Sequence, residues 1–189
     1  MGETVVVRQA GPADVAAAAE VWYASHLVRR NGRALPKERH DLAVARMSDP
    51  AGMLLIAEDF GAQYDSGLSG SLSPPVIGTI LGEAGRENDG TGPPVPGLLH
   101  LALLSVHPDH WGRHVGRLLM EGITVRAFAL GYRRAQLWAH ADNAVAGRLY
   151  RATGFRRTGR ARIDDWGELV VHHQRELHHQ GELQSGPPG

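Results

Sequence analysis

Hydrophobic positions along this chain come in two rhythms, short unbroken runs and stripes at helical spacing, and together they predict eleven elements. Val5-Val6-Val7 is a β-branched strand. Gly11-Pro12 with Asp14 opens a helix, because proline fits a first turn and an acid there meets the positive helix end. Its stripe is Val15, Ala18, Ala19, Trp22 and His26, closed by Asn31-Gly32. A second helix is expected from Pro36 to Met47, stopped by Ser48-Asp49-Pro50. Strands follow at Leu54–Ala57, Val76–Glu83 and Leu98–Val106, the last so apolar that burial on both faces is expected. Val115, Leu118, Leu119, Ile123, Ala127 and Leu130 form one buried helical stripe ended by Gly131. Ala135–Ala139 is a strand, and Asp142-Asn143 caps a helix with Ala146, Leu149 and Tyr150 inside, closed by Gly154. Phe155–Ala161 and Glu168–Arg175 are the final strands. The order β-α-α-β-β-β-α-β-α-β-β predicts a mixed α/β sheet of about seven strands with flanking helices.

Between these elements, 61–75 and 85–97 have turn composition and read as long hairpin loops suited to mobility or substrate contact. Residues 1–177 are expected to form one domain, and 178–189, polar with a Gly-Pro ending, a disordered tail.

Composition narrows the chemistry. The 189 residues carry 20 Lys plus Arg and 20 Asp plus Glu, a formal net charge of zero. That balance argues against a nucleic-acid coat. There is no cysteine, which excludes disulfides and thiolate catalysis. The opening MGETVVVRQA does not read as a secretion signal, and no apolar run reaches membrane-spanning length. A cytoplasmic protein without a membrane partner is expected.

The richest segment is Leu98 to Gly116, LLHLALLSVHPDHWGRHVG. A strand ends in Val-His-Pro and runs into a turn with Gly112, Arg113 and Gly116, after which a helix opens. Amides and a helix N-terminus meet there, which suits a phosphate. The expectation is an anion-binding turn for a phosphorylated cofactor.

Two segments in this order resemble the GNAT superfamily, the general-control-type N-acetyltransferases. Val106-His107-Pro108-Asp109-His110-Trp111-Gly112-Arg113-His114-Val115-Gly116 is similar to the family's Val-x-Pro strand end followed by Gln/Arg-x-x-Gly-x-Gly/Ala. Leu137 to Tyr150, finishing in Thr153-Gly154-Phe155, is similar to its strand, its Asn-x-x-Ala-x-x-x-Tyr helix and its Gly-Phe turn. Two positions depart from the pattern. Trp111 stands for Gln/Arg, and His114 for the first glycine of the Gly-x-Gly pair.

The resemblance implies a mostly antiparallel sheet and acetyl-CoA as co-substrate, with an acetyl group passing to a primary amine of a small molecule, peptide or protein. It implies that main-chain groups of Leu104 and Val106 meet the pantetheine arm. The turn from Trp111 through Gly112, Arg113, His114, Val115, Gly116 and Arg117 would cradle the pyrophosphate. Asn143 caps its helix and touches the same arm, and Tyr150 is the general acid for the leaving thiolate. For the general base, Glu83 and His100 both remain open. Without cysteine no acyl-cysteine intermediate exists, so transfer is direct. Trp22, Tyr23 and His26 read either as core or as part of an acceptor pocket. His172-His173 and His178-His179 read as a chance cluster, since adjacent strand residues face opposite sides, and no metal is expected. A homodimer is possible through sheet edges. The alternative reading, motivated by His114, is a GNAT-fold acyl-CoA-binding or regulatory module.

Overall fold

The computed structural model describes residues 5–61 and 74–178. Seven strands form one sheet in the order β1-β2-β3-β4-β5-β7-β6. They are β1 (Val5–Gln9), β2 (Met53–Asp59), β3 (Val76–Arg86), β4 (Pro94–Val106), β5 (Arg134–His140), β6 (Arg156–Ile163) and β7 (Leu169–Glu176). Helices are α1 (Val15–Arg29), α2 (Lys37–Met47), α3 (Val115–Ala129) and α4 (Ala144–Ala152). The β4–β5 pair is parallel, whereas β1–β2, β5–β7 and β6–β7 are antiparallel. This is the expected mixed α/β sheet.

The chain divides into two compact units. One takes the described residues up to Leu81 together with Ala102–Gly122, and the other takes Gly82–Leu101 and the described residues from Ile123 on.

In the first unit, Asp14 fixes the entry to α1: its carboxylate accepts the Gly11 amide at 2.7 Å and Arg8 at 2.7 Å. The buried side of α1, Ala18, Ala19 and Trp22, packs with Ala43 and Met47 of α2 and with Leu54, Ile56 and Leu81 of the sheet. Each of the larger aliphatic side chains here, Met47, Leu54, Ile56 and Leu81, stabilises the fold by about 1.5–3 kcal/mol when removed from water. Trp22 is therefore core, and Tyr23 and His26 are half-buried beside it.

In the second unit, β5 alternates half-buried and buried positions along its length and pairs with β7 from Arg134 to His140. Phe155, fully buried, returns its amide to the Tyr150 carbonyl at 2.9 Å, which closes α4 against the start of β6.

Three expectations need correction. The loop expected over 85–97 is shorter than that: β3 continues to Arg86 and β4 starts at Pro94, so only 87–93, with a 3-10 turn at Asn88–Gly90, connects the two strands. Glycines and prolines suggested a loop, yet both serve the hairpin. Gly85 makes room for Leu98, since a Cβ there would stand 2.5 Å from Leu98 Cγ. Pro94 and Pro96 precede Leu98, where pairing with β5 begins, so their missing N–H groups face no partner strand on that side. Second, β4 is buried on both faces only in part; Ala102, Leu103 and Leu104 are half-buried, past the last β5 pair at Leu101. Third, Leu118 and Leu130 are exposed and Met120 is buried instead. Val115, Leu119, Ile123 and Ala127 form the inner row at four-residue spacing, and Leu130 lies beyond the helix end.

Most of 61–75 and the tail beyond His178 lie outside the described residues. Among the described residues, no helix is long and apolar enough to cross a membrane.

Candidate functional site

In the first unit, β4 delivers the chain into a short 3-10 turn, Pro108–His110, and from there into α3. The strand is already distorted before its end, because Leu103 holds φ at 53°. A leucine in the left-handed region costs about 1–2 kcal/mol. Trp111, half exposed at 50%, donates its indole N–H to the Val106 carbonyl at 2.7 Å and closes the strand end over the turn.

Two left-handed residues then bracket Arg113: Gly112 at φ 79° and His114 at φ 60°. Glycine takes such a conformation freely, and histidine is among the few other residues that visit it. His114 thus holds a left-handed backbone angle that glycine could also take, with its side chain exposed. Its carbonyl receives the first helical amides, Arg117 at 3.0 Å and Leu118 at 3.1 Å. The amides of Gly112, His114, Val115 and Gly116 donate to no acceptor among the described residues. Amides left open at a helix N-terminus and in left-handed turns form an anion-binding concavity. Arg117 is turned aside to Glu121 at 2.7 Å on the exposed face of α3.

Arg113 does not extend into solvent. Its Nη2 lies 3.2 Å from Asp59 Oδ2 and its Nη1 donates to His110 Nδ1 at 2.7 Å. A guanidinium only donates, so His110 accepts at Nδ1 and is neutral there. Burial first, and the Arg113 charge second, hold His110 below the ordinary imidazole pKa. Sequence reasoning missed Asp59. The available signal was a pair of acids, Glu58-Asp59, ending an otherwise apolar strand.

In the second unit, Asn143 caps α4, its Oδ1 accepting the Ala146 amide at 3.0 Å. Tyr150, seven residues on, is buried. Its ring stands 5.6 Å from that of His173 and 6.4 Å from that of Phe155, and its hydroxyl has no hydrogen-bond partner among the described residues. Burial pushes the phenol up to about 12, so it carries its proton at neutral pH. Glu83 is half-buried within β3, three residues before the strand ends at Arg86 and not at its end as expected. His100, also half-buried, sits on β4 in register with Gln136 of β5.

The paired histidines separate as strand geometry requires. His172 takes Thr158 at 2.9 Å and Gln136 at 3.1 Å, while His173 faces Tyr150. A different group, His140, Asp164 and Glu168, brings potential ligand atoms within 4.8 Å of one another. Asp164 is occupied by the Trp166 and Glu168 amides, which shape the turn between β6 and β7.

The sequence pattern described as "Acetyltransferase (GNAT) family" matches residues 22–155. The chain belongs to the GNAT acetyltransferases. A mycothiol acetyltransferase of Frankia casuarinae is 32% identical over 132 residues, covering 70% of this chain and 36% of that protein, so the chain spans about a third of this relative's length. Among solved structures, the Escherichia coli ribosomal-protein-S18-alanine N-acetyltransferase superposes with a TM-score of 0.65 at 15% identity, covering 97% of this chain and 100% of that one. A putative acetyltransferase from Salmonella typhimurium, solved with its cofactor acetyl-CoA, gives 0.63 at 22% identity over 94% and 96%. As in those GNAT structures, a mixed sheet with flanking helices is the framework here.

Proposed function

We propose that residues 1–177 form an acetyl-CoA-dependent N-acetyltransferase domain that passes an acetyl group directly to a primary amine of a small molecule, peptide or protein. The observation that carries this reading is the row of open amides at Gly112, His114, Val115 and Gly116, at the mouth of α3. These neutral donors fit a pyrophosphate. When bound, acetyl-CoA supplies the activated acetyl thioester.

The chain's own groups then have separate tasks. The turn from Trp111 to Arg117 holds the phosphates by its main chain. Leu104 and Val106 engage the pantetheine arm through main-chain groups other than the Val106 carbonyl, which Trp111 occupies. Asn143 keeps α4 capped. Tyr150 donates its proton to the sulfur that leaves, its pKa of about 12 keeping it protonated until charge develops. Glu83 or His100 takes the proton of the attacking amine, whose pKa near 10.4 for a lysine-like acceptor leaves it mostly charged. With no cysteine in the chain, the acetyl group has no thiol resting place.

Calorimetric titration of acetyl-CoA, followed by turnover with a panel of amines, tests the reading. Micromolar binding with turnover above hydrolysis is the expected result. Binding without turnover on any amine favours the alternative, an acyl-CoA-binding regulatory module. Absence of binding removes both.

A further inference from the structure

Strand β2 is buried throughout, yet it ends in two carboxylates, Glu58 and Asp59, which adjacent strand positions send to opposite faces. Glu58 is accounted for by Arg8, which grips it through two bonds at 2.8 and 2.7 Å. Asp59 has a different partner set. One oxygen accepts the Gly61 amide at 2.9 Å, and the other faces Arg113 at 3.2 Å and His110 at 3.7 Å. Its side chain is 5% exposed, and a carboxylate so buried is tolerated only when paired.

Arg113 is the residue between the two left-handed positions of the turn. Its fork reaches Asp59 with one nitrogen and His110 with the other, so the carboxylate ties down both the middle of the turn and the 3-10 turn before it. A buried carboxylate beside open amides would repel an anion unless neutralised, and Arg113 is the group that neutralises it. We infer that Asp59 is a positioning residue for acetyl-CoA, holding Arg113 and His110 so that the amides of Gly112 to Gly116 stay aimed at the phosphates. This rests on the reading above that the turn receives acetyl-CoA. It also assigns Arg113 to the scaffold, leaving phosphate attraction to neutral amides and the start of α3.

The test titrates acetyl-CoA into wild type, Asp59→Asn, Arg113→Met and the double variant, at low and high salt, with melting curves and kcat on the best amine. Each single variant is expected to bind about tenfold more weakly at unchanged stoichiometry, as loss of a hydrogen bond to a charged group implies, with kcat at saturation kept. The double variant is expected to be no worse than either single one. Salt dependence is expected to steepen in Asp59→Asn alone, because Arg113 is then released toward the phosphates. Unchanged or tighter binding by Asp59→Asn overturns the inference, since it would mean the carboxylate only opposed the anion. Additive losses in the double variant also overturn it. If Asp59→Asn does not fold, Arg113→Met tests the same clasp from its more exposed side, and wild-type affinity there overturns the inference. A wild type that binds no acetyl-CoA defeats the acetyltransferase reading itself. A binding wild type with an indifferent Asp59→Asn defeats only the role of Asp59.

Discussion

Tyr150 and His173 pack ring against ring, centroids 5.6 Å apart and tilted by 58°, and neither the phenol nor either imidazole nitrogen has a hydrogen-bond partner among the described residues. Burial raises the one pKa and, with the Arg157 charge as a second cause, lowers the other, so both side chains are neutral at pH 7. The packing holds the tyrosine ring in place without engaging its hydroxyl.

Tyr150→Phe therefore separates chemistry from packing. The ring contacts persist and no hydrogen bond is lost, so stability is expected to stay within about 0.5 kcal/mol of wild type. The expected fall in kcat is about a hundredfold or more, the scale of a lost general acid. Melting curves and amine turnover on the same preparation check both halves. A kcat within a factor of about two would remove Tyr150 from the reaction.

At position 114 the backbone angle, φ 60°, is the feature that matters for the proposed function, and two substitutions test it. His114→Gly is expected to bind acetyl-CoA at least as tightly as wild type, because glycine takes φ 60° without strain. His114→Val places a β-branched residue in the left-handed region and is expected to cost about 1–2 kcal/mol and to weaken binding. Calorimetry and denaturant melts on the pair decide the matter, and a tight-binding valine variant would contradict it.

Acid stability should depend on Arg8, which bonds Asp14 and Glu58 together. Arg8, and after it the Gly11 amide, holds the Asp14 carboxyl below its ordinary pKa. A depressed carboxylate stabilises the fold at pH values above its unfolded pKa of about 3.9, and that stability is lost as pH falls through the lower folded value. Arg8→Met is expected to lose about 2 kcal/mol at pH 7, discounted for the partial exposure of Arg8, and to show a flatter decline below about pH 4. Melting temperature against pH for the two proteins is the measurement.

Gly85→Ala tests the β3–β4 hairpin. The added methyl would meet Leu98 Cγ at 2.5 Å and its carbonyl oxygen at 3.0 Å, a clash that includes backbone. Overpacking of this kind costs about 1–3 kcal/mol. A variant as stable as wild type would show that the hairpin can open at that point.

The order of elements was readable because periodicity survives in single residues: Val115, Leu119, Ile123 and Ala127 announce α3, and Asn143 with Gly154 bounds α4. What was hidden depended on neighbours distant in sequence. Gly85 and Pro94 look like loop residues until Leu98 lies against the first and the β5 register begins beyond the second. Asp59 is 54 positions from Arg113 (113 − 59), so no local pattern links them, and only the fold shows that a buried acid grips the turn. The His114 departure from the glycine pattern resolves the same way, since the sequence shows a changed letter whereas the backbone shows a left-handed angle of the kind glycine takes freely.

The proposed recognition of a ligand by peptide amides has an evolutionary consequence. No side-chain replacement can delete an N–H group, short of proline, so between Trp111 and Arg117 the donors themselves survive a change of letter wherever the backbone angles and the Arg113 clasp are kept. Selection there acts on angles: on what residues 112 and 114 permit, and on what keeps the chain bent that way. A survey of inactive variants of this protein should therefore find few hits among the side chains at the mouth of α3 and more among those that hold its curvature from behind.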